Sequence, residues 1–206
     1  MISSQTSKNK YRDLFFHKKE YVSLNHGSFG SCPKAIMEHQ FSLQRDMETL
    51  STYFINRELK PLYKESLSGL ANFLNVSPKD IAFVRNATFA VNSVVSSFPF
   101  QKGDEIVTTN LIYEAYRPLF AQIMKNKGVS LKIAQLPFPV ESNEQIIGKV
   151  LEQVTTQTKF AFLDHITSET ATIFPIEELI NEFRKRNIPL LIDGAHAPGM
   201  VPLNIQ

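Results

Sequence analysis

The sequence predicts an α/β fold of three layers, a mostly parallel sheet with helices on both faces. Two observations predict it. From residue 81 onward, short apolar runs alternate with stretches of helical period across short turns, the pattern of strands joined by helical crossovers. Each apolar run is also followed at once by a cluster of polar residues. Successive strands of a parallel sheet end on one edge, and open α/β sheets bind their ligands there.

Composition agrees with a globular chain. Of 206 residues, 43% are apolar and 20% charged, which excludes a mostly disordered chain. No apolar stretch approaches the roughly 18 uncharged residues that a membrane helix needs. Lys and Arg number 22 against 20 Asp and Glu, a net charge of +2 that predicts neither a nucleic-acid nor a membrane partner. Cys32 is the single cysteine, so no internal disulfide and no cysteine-built metal site can form. With a polar N-terminus lacking an apolar core segment, the expected setting is cytoplasmic.

The elements follow in order. Residues 1–20 read as an N-terminal extension with one helical turn, and residues 21–206 as one partial domain. Tyr21 to Leu24 is a short extended run, after which Gly27 and Gly30 predict irregular backbone with positive φ. Pro33 stands where a helix can begin. Leu67, Leu70, Ala71 and Leu74 share one face of a helix over Leu62 to Leu74, and Ser77-Pro78-Lys79-Asp80 supplies turn chemistry. Then come the apolar run Ile81–Val84, a helix to about Ser97, a strand over Glu105–Thr109 and a helix over Tyr113–Asn126. Ser130–Leu136 reads as strand, Glu144–Val154 as helix, Lys159–Leu163 as strand, Ile176–Arg186 as helix and Pro189–Ile192 as strand.

Four polar clusters follow apolar runs: Arg85-Asn86-Ala87-Thr88, Thr108 to Tyr113, Asp164-His165-Ile166-Thr167-Ser168, and Asp193-Gly194-Ala195-His196. All four are expected on one concave edge, as a small-molecule site. Nucleotide phosphate loops, the H-E-x-x-H zinc helix and the G-x-S-x-G nucleophile turn are absent from the sequence.

These clusters, with Leu24-Asn25-His26-Gly27-Ser28-Phe29-Gly30 and the continuation Ala197-Pro198-Gly199, resemble the signatures of class V aminotransferases in their order along the chain. The resemblance runs from about residue 21 to the C-terminus, and the branch it is most similar to holds isopenicillin N epimerase-like proteins, near cysteine desulfurases. It implies the large domain of a fold type I enzyme that uses pyridoxal 5′-phosphate (PLP) on an amino-acid substrate, assembled as a homodimer. By resemblance, Asp193 faces the pyridine nitrogen, where a carboxylate keeps that nitrogen protonated. Ala87 and Thr88 bind the phosphate at a helix N-terminus, with an ordinary N-cap threonine as the alternative. Tyr113 stacks on the ring, with a core tyrosine as the alternative. Thr167 and Ser168 reach the cofactor's phenolic oxygen and the substrate. His196 is the catalytic candidate, beside the cofactor as proton relay or donor. Asn25 and His26 face the substrate or merely form a turn.

Arg57 and Arg85 are candidates for a substrate carboxylate, or else surface arginines. Cys32 is expected buried or inert. The family's Schiff-base lysine would fall beyond Gln206, and no lysine present lies in a matching motif. The expectation is therefore an N-terminal fragment, inactive alone, that lacks the rest of the large domain and the small C-terminal domain. Two other readings stand beside it: a non-catalytic remnant or binding module, and a metal-dependent hydrolase built on Asp164, His165, Asp193 and His196.

Overall fold

The structure, a computed structural model, describes residues 11–205. The first ten residues of the expected extension, and Gln206, lie outside the described residues. The chain divides into two compact units, residues 1–73 and 74–206.

The N-terminal unit is helical. The expected helical turn before residue 20 is a 3-10 turn at Arg12–Leu14. A single turn, α1 (His26–Phe29), carries Gly27, and Gly30 has φ −62°. The predicted positive φ is therefore absent from this segment. Close approach explains Gly30 instead, because a Cβ there would meet the His26 carbonyl oxygen at 2.6 Å. Pro33 directly precedes α2 (Lys34–Thr49). A short α3 (Ser51–Tyr53) runs through a π-helical turn, Phe54–Glu58, into α4 (Leu59–Leu74).

The second unit holds the sheet. Its helices and strands alternate as α5 (Ala87–Ser97), β1 (Glu105–Thr109), α6 (Arg117–Lys127), β2 (Ser130–Ala134), α7 (Asn143–Leu151), β3 (Thr158–Asp164), α8 (Ile176–Lys185) and β4 (Leu190–Asp193). The strand order is β2-β1-β3-β4 and every pairing is parallel. The last four residues of β1 and nearly all of β3 are buried. Strands covered on both faces must be apolar or β-branched almost throughout, which is how these runs read.

Side-chain alternation sorts the core into two. On one face Ile106, Phe160 and Phe162 pack with Val91 and Val95 of α5 and Leu119, Phe120 and Ile123 of α6. On the other, Val107, Ala161 and Leu163 pack with Ile146 and Val150 of α7 and Leu179 and Phe183 of α8. These are the three expected layers.

One expected element is corrected. Ile81–Val84 has no regular secondary structure, and Phe83 and Val84 are 45% and 49% exposed. An apolar run becomes a strand only where a neighbouring edge and a covering layer accept it, and this run has neither. The Arg85–Thr88 cluster thus reaches the site as the start of a helix, with no strand before it.

α6 ends where the chain turns left-handed. Gly128 has φ +67° and its N–H donates to the Met124 carbonyl. A Cβ at this position would also meet the Lys102 Cγ at 2.9 Å. Gly128→Ala should cost about 1–2 kcal/mol in denaturant unfolding, because an L side chain is strained in that region. An unchanged midpoint would show that the turn relaxes without penalty.

Candidate functional site

The site is built on the face shared by α5 and α6, at the carboxyl ends of β3 and β4. In the register of these strands Asp164 lies beside Asp193. Both close their strands and both are buried, 2% and 7% exposed. The Asp193 carboxylate is held at each oxygen: Oδ2 accepts from the Tyr116 hydroxyl at 2.7 Å and Oδ1 from the Ala195 N–H at 2.9 Å. The His165 N–H donates to the Asp193 carbonyl at 2.8 Å, which ties the two strand ends together.

Asp164 is less well served. Its Oδ2 is buried with no hydrogen-bond partner, as is the hydroxyl of Thr108 on β1. Burial, followed by the negative charge of Asp193, pushes the Asp164 carboxyl up to about 7, although the backbone N–H of Tyr113 pulls the other way. Two adjacent carboxylates in a poorly hydrated place cannot both ionise cheaply, so the pair retains a proton near neutrality. Burial also lowers His165 below its ordinary value.

Tyr116 completes this corner, and no motif in the sequence singled it out. It is fully buried, with its ring edge-on to Tyr113 at 5.7 Å and to Phe162 at 5.1 Å. Burial first, and then Asp193, hold its phenol well above the ordinary tyrosine range, with the Thr88 side chain pulling the other way. The only available signal was its spacing three residues after Tyr113, which places both at the entry to a helix.

Ala87 and Thr88 are the first two residues of α5, both half-buried. Asn86 caps the helix, its Oδ1 accepting from the Phe89 N–H at 2.8 Å. The cap is therefore asparagine, and the alternative reading of Thr88 as N-cap is set aside. The N–H groups of the first turn of a helix have no partner within it and favour an anion.

Tyr113 is 42% exposed beside the buried corner. The Thr167 hydroxyl is engaged locally: it accepts from the Thr172 N–H at 2.9 Å and bonds the Thr170 hydroxyl at 2.6 Å. This network closes a tight loop in which Ala171 has φ +52°. Ser168 and His196 are half-buried, and His196 follows β4 by three residues.

Asn25, His26 and Arg57 belong to the N-terminal unit and are exposed, with the His26 ring edge-on to Phe15 at 5.3 Å. Arg85 is exposed over the Phe89 ring. Cys32, expected buried or inert, is exposed. Among the described residues no three His, Cys, Asp or Glu side chains converge as a metal site requires. The hydrolase reading of Asp164, His165, Asp193 and His196 has no such cluster behind it among these residues.

The class V aminotransferase family matches residues 36–206. The chain belongs to the class V aminotransferase family. Among its curated relatives are isopenicillin N epimerase of Streptomyces clavuligerus, 29% identical over 90% of this chain and 46% of that protein, and hercynylcysteine sulfoxide lyase of Schizosaccharomyces pombe, 30% identical over 100% of this chain and 52% of that protein. The chain of this class V family member spans about half the length of the curated relatives it matches. Its fold matches that of a C-DES mutant with glycine covalently linked to the PLP cofactor, with a TM-score of 0.84 and 20% identity over 94% of this chain and 51% of that one. It also matches the cysteine desulfurase CsdA of Escherichia coli, with a TM-score of 0.77 and 18% identity over 95% of this chain and 50% of that one. The expected fold type I architecture is the one observed. Pyridoxal phosphate is the cofactor of this family. The residues present fit that group: a buried carboxylate held by two donors, an orphaned buried carboxyl oxygen beside it, and a capped helix N-terminus on the same face.

Proposed function

We propose that this chain binds pyridoxal 5′-phosphate and serves an enzyme that acts on an amino acid at its Cα, of the epimerase, aminotransferase or desulfurase type. The observation that carries the reading is the buried Asp193 carboxylate, held at both oxygens. When bound, the cofactor supplies an electron sink for the negative charge that develops at the substrate Cα.

Each residue has a defined part. Asp193 meets the ring nitrogen and keeps it protonated. The first-turn N–H groups of α5 at Ala87 and Thr88, with the Thr88 hydroxyl, take the phosphate. Tyr113, exposed enough to offer a ring face, stacks on the pyridine. Ser168 and Thr167 lie beside the phenolic oxygen, and the local bonds of the Thr167 hydroxyl leave Ser168 the freer donor of the two. His196 holds or returns a proton next to the substrate Cα. Asn25 and His26 are the substrate-facing pair of the N-terminal motif. Homodimeric assembly and a cytoplasmic setting belong to the same proposal.

No lysine of the chain lies in a motif that matches the family's Schiff-base position. The 206-residue chain is therefore expected to hold PLP weakly and without a covalent bond, and to turn over no amino acid by itself. Equilibrium dialysis, followed by borohydride reduction and mass spectrometry, checks this. Saturable binding without stoichiometric labelling of any one lysine is the expected result. Complete labelling of a single lysine would overturn the non-covalent part, and no saturable binding would overturn the cofactor assignment.

A further inference from the structure

We propose that Tyr116 is a positioning residue for Asp193, its hydroxyl holding the carboxylate in the one orientation that can meet a pyridine nitrogen. The inference rests on the PLP reading and adds to it a residue that the motifs did not indicate.

The phenol oxygen is placed by packing. Tyr116 is 1% exposed, and its ring stands edge-on between Tyr113 and Phe162, with interplanar angles of 80° and 83°. A ring locked on two sides delivers its hydroxyl to a single point, 2.7 Å from Asp193 Oδ2. The Ala195 N–H holds the other oxygen at 2.9 Å. One donor on each oxygen removes rotation about the Cβ–Cγ bond, so the remaining lone pairs point in a fixed direction. A carboxylate free to turn would have to be ordered each time the ring nitrogen arrives, and preorganised polar groups avoid that cost.

Packing alone does not account for a tyrosine here. Phenylalanine would fill the same apolar slot against Phe162. The hydroxyl is an added polar group at a fully buried position, where it requires a partner. Its partner is the carboxylate at the centre of the site.

The test compares two probes on the full chain: pyridoxal phosphate, and an analogue in which the ring nitrogen is replaced by CH. The ratio of their affinities isolates the contact between ring nitrogen and carboxylate. In the wild-type chain pyridoxal phosphate is expected to bind about tenfold tighter, and in Tyr116→Phe the ratio is expected to fall towards one while the analogue's affinity stays within about twofold. A role in packing alone would weaken both probes together, and that outcome, like an unchanged ratio, would overturn the proposal. A wild-type chain that shows no preference for the pyridine would overturn the assignment of Asp193, and this proposal with it. A second measurement needs no variant. The Tyr116 hydroxyl proton should exchange slowly in nuclear magnetic resonance spectra, and should shift on addition of pyridoxal phosphate but not of the analogue. An equal response to both probes would count against the proposal.

Discussion

Between pH 4 and pH 8 the stability of the wild-type chain should fall relative to that of Asp164→Asn by on the order of 4 kcal/mol. The cause is the proton that Asp164 keeps when folded. Its carboxyl is displaced from an ordinary 3.8 to about 7 by burial and by the adjacent Asp193 charge, and a displacement of that size corresponds to ~4 kcal/mol at 1.36 kcal/mol per unit of pH. The sign follows from proton counting. Across this window the folded state holds a proton that the unfolded chain has released, so the folded state is favoured most below the ordinary carboxylate value. That advantage is lost as pH rises through about 7. Other groups titrate on the way. Burial lowers His165, while Glu105, Glu144 and Glu182 are lowered chiefly by hydrogen bonds. Their contributions have the opposite slope, but they are common to both proteins and cancel in the difference. Denaturant unfolding at a series of pH values measures the gap, and parallel curves for the two proteins would refute it. The same proton matters for the site, because a neutral Asp164 leaves Asp193 as the single negative charge of the pair.

Phe162→Ala should destabilise the chain by about 3–5 kcal/mol and also loosen the site. Phe162 is fully buried at the centre of β3, with the Tyr116 ring at 5.1 Å and the Phe120 ring at 5.4 Å. Truncation leaves a cavity between the sheet and α6 that rigid neighbours fill only in part. The Tyr116 ring loses one of the two surfaces that hold it edge-on, so its hydroxyl is no longer fixed against Asp193. Affinity for pyridoxal phosphate should therefore fall, by up to the loss seen in Tyr116→Phe. Phe120→Ala serves as the comparison, since it opens the same core at the ring that meets Phe162 at 5.4 Å and leaves the Phe162 surface of Tyr116 in place. Unfolding midpoints and dialysis on the two variants check this, and equal loss of cofactor affinity in both would show that the site does not depend on Phe162 for its geometry.

The strands and helices after residue 100 were legible because each carries a local signal. Buried parallel strands must be continuous in apolar or β-branched residues, as Ile106–Thr109 and Phe160–Leu163 are, and the crossover helices have an apolar stripe at the helical period. The run Ile81–Val84 carries the same local signal and is not a strand, because only a neighbouring edge and a covering layer make an apolar run into one.

Asp193, Thr88 and Tyr113 were indicated as candidates by the resemblance to the family's signatures, and their roles belong to the proposed function. Tyr116 carried no such signal, and the sequence grouped Asp164 with Asp193 only as ligands in the hydrolase reading. Tyr116 is separated from Asp193 by 77 positions, and the partner of a buried phenol is a property of how α6 lies on the sheet. That the carboxyls of Asp164 and Asp193 lie side by side in one buried place, and so share a proton, follows from the register of β3 and β4. By itself the sequence determined the order of the strands and helices after residue 100 and the family signatures, since these depend on short-range periodicity and on fixed residue types. Only the tertiary structure decided which groups share a proton, which hydroxyl orients the acid and which apolar run stays out of the sheet, because burial and partner distance are set by the packing of segments far apart in the chain.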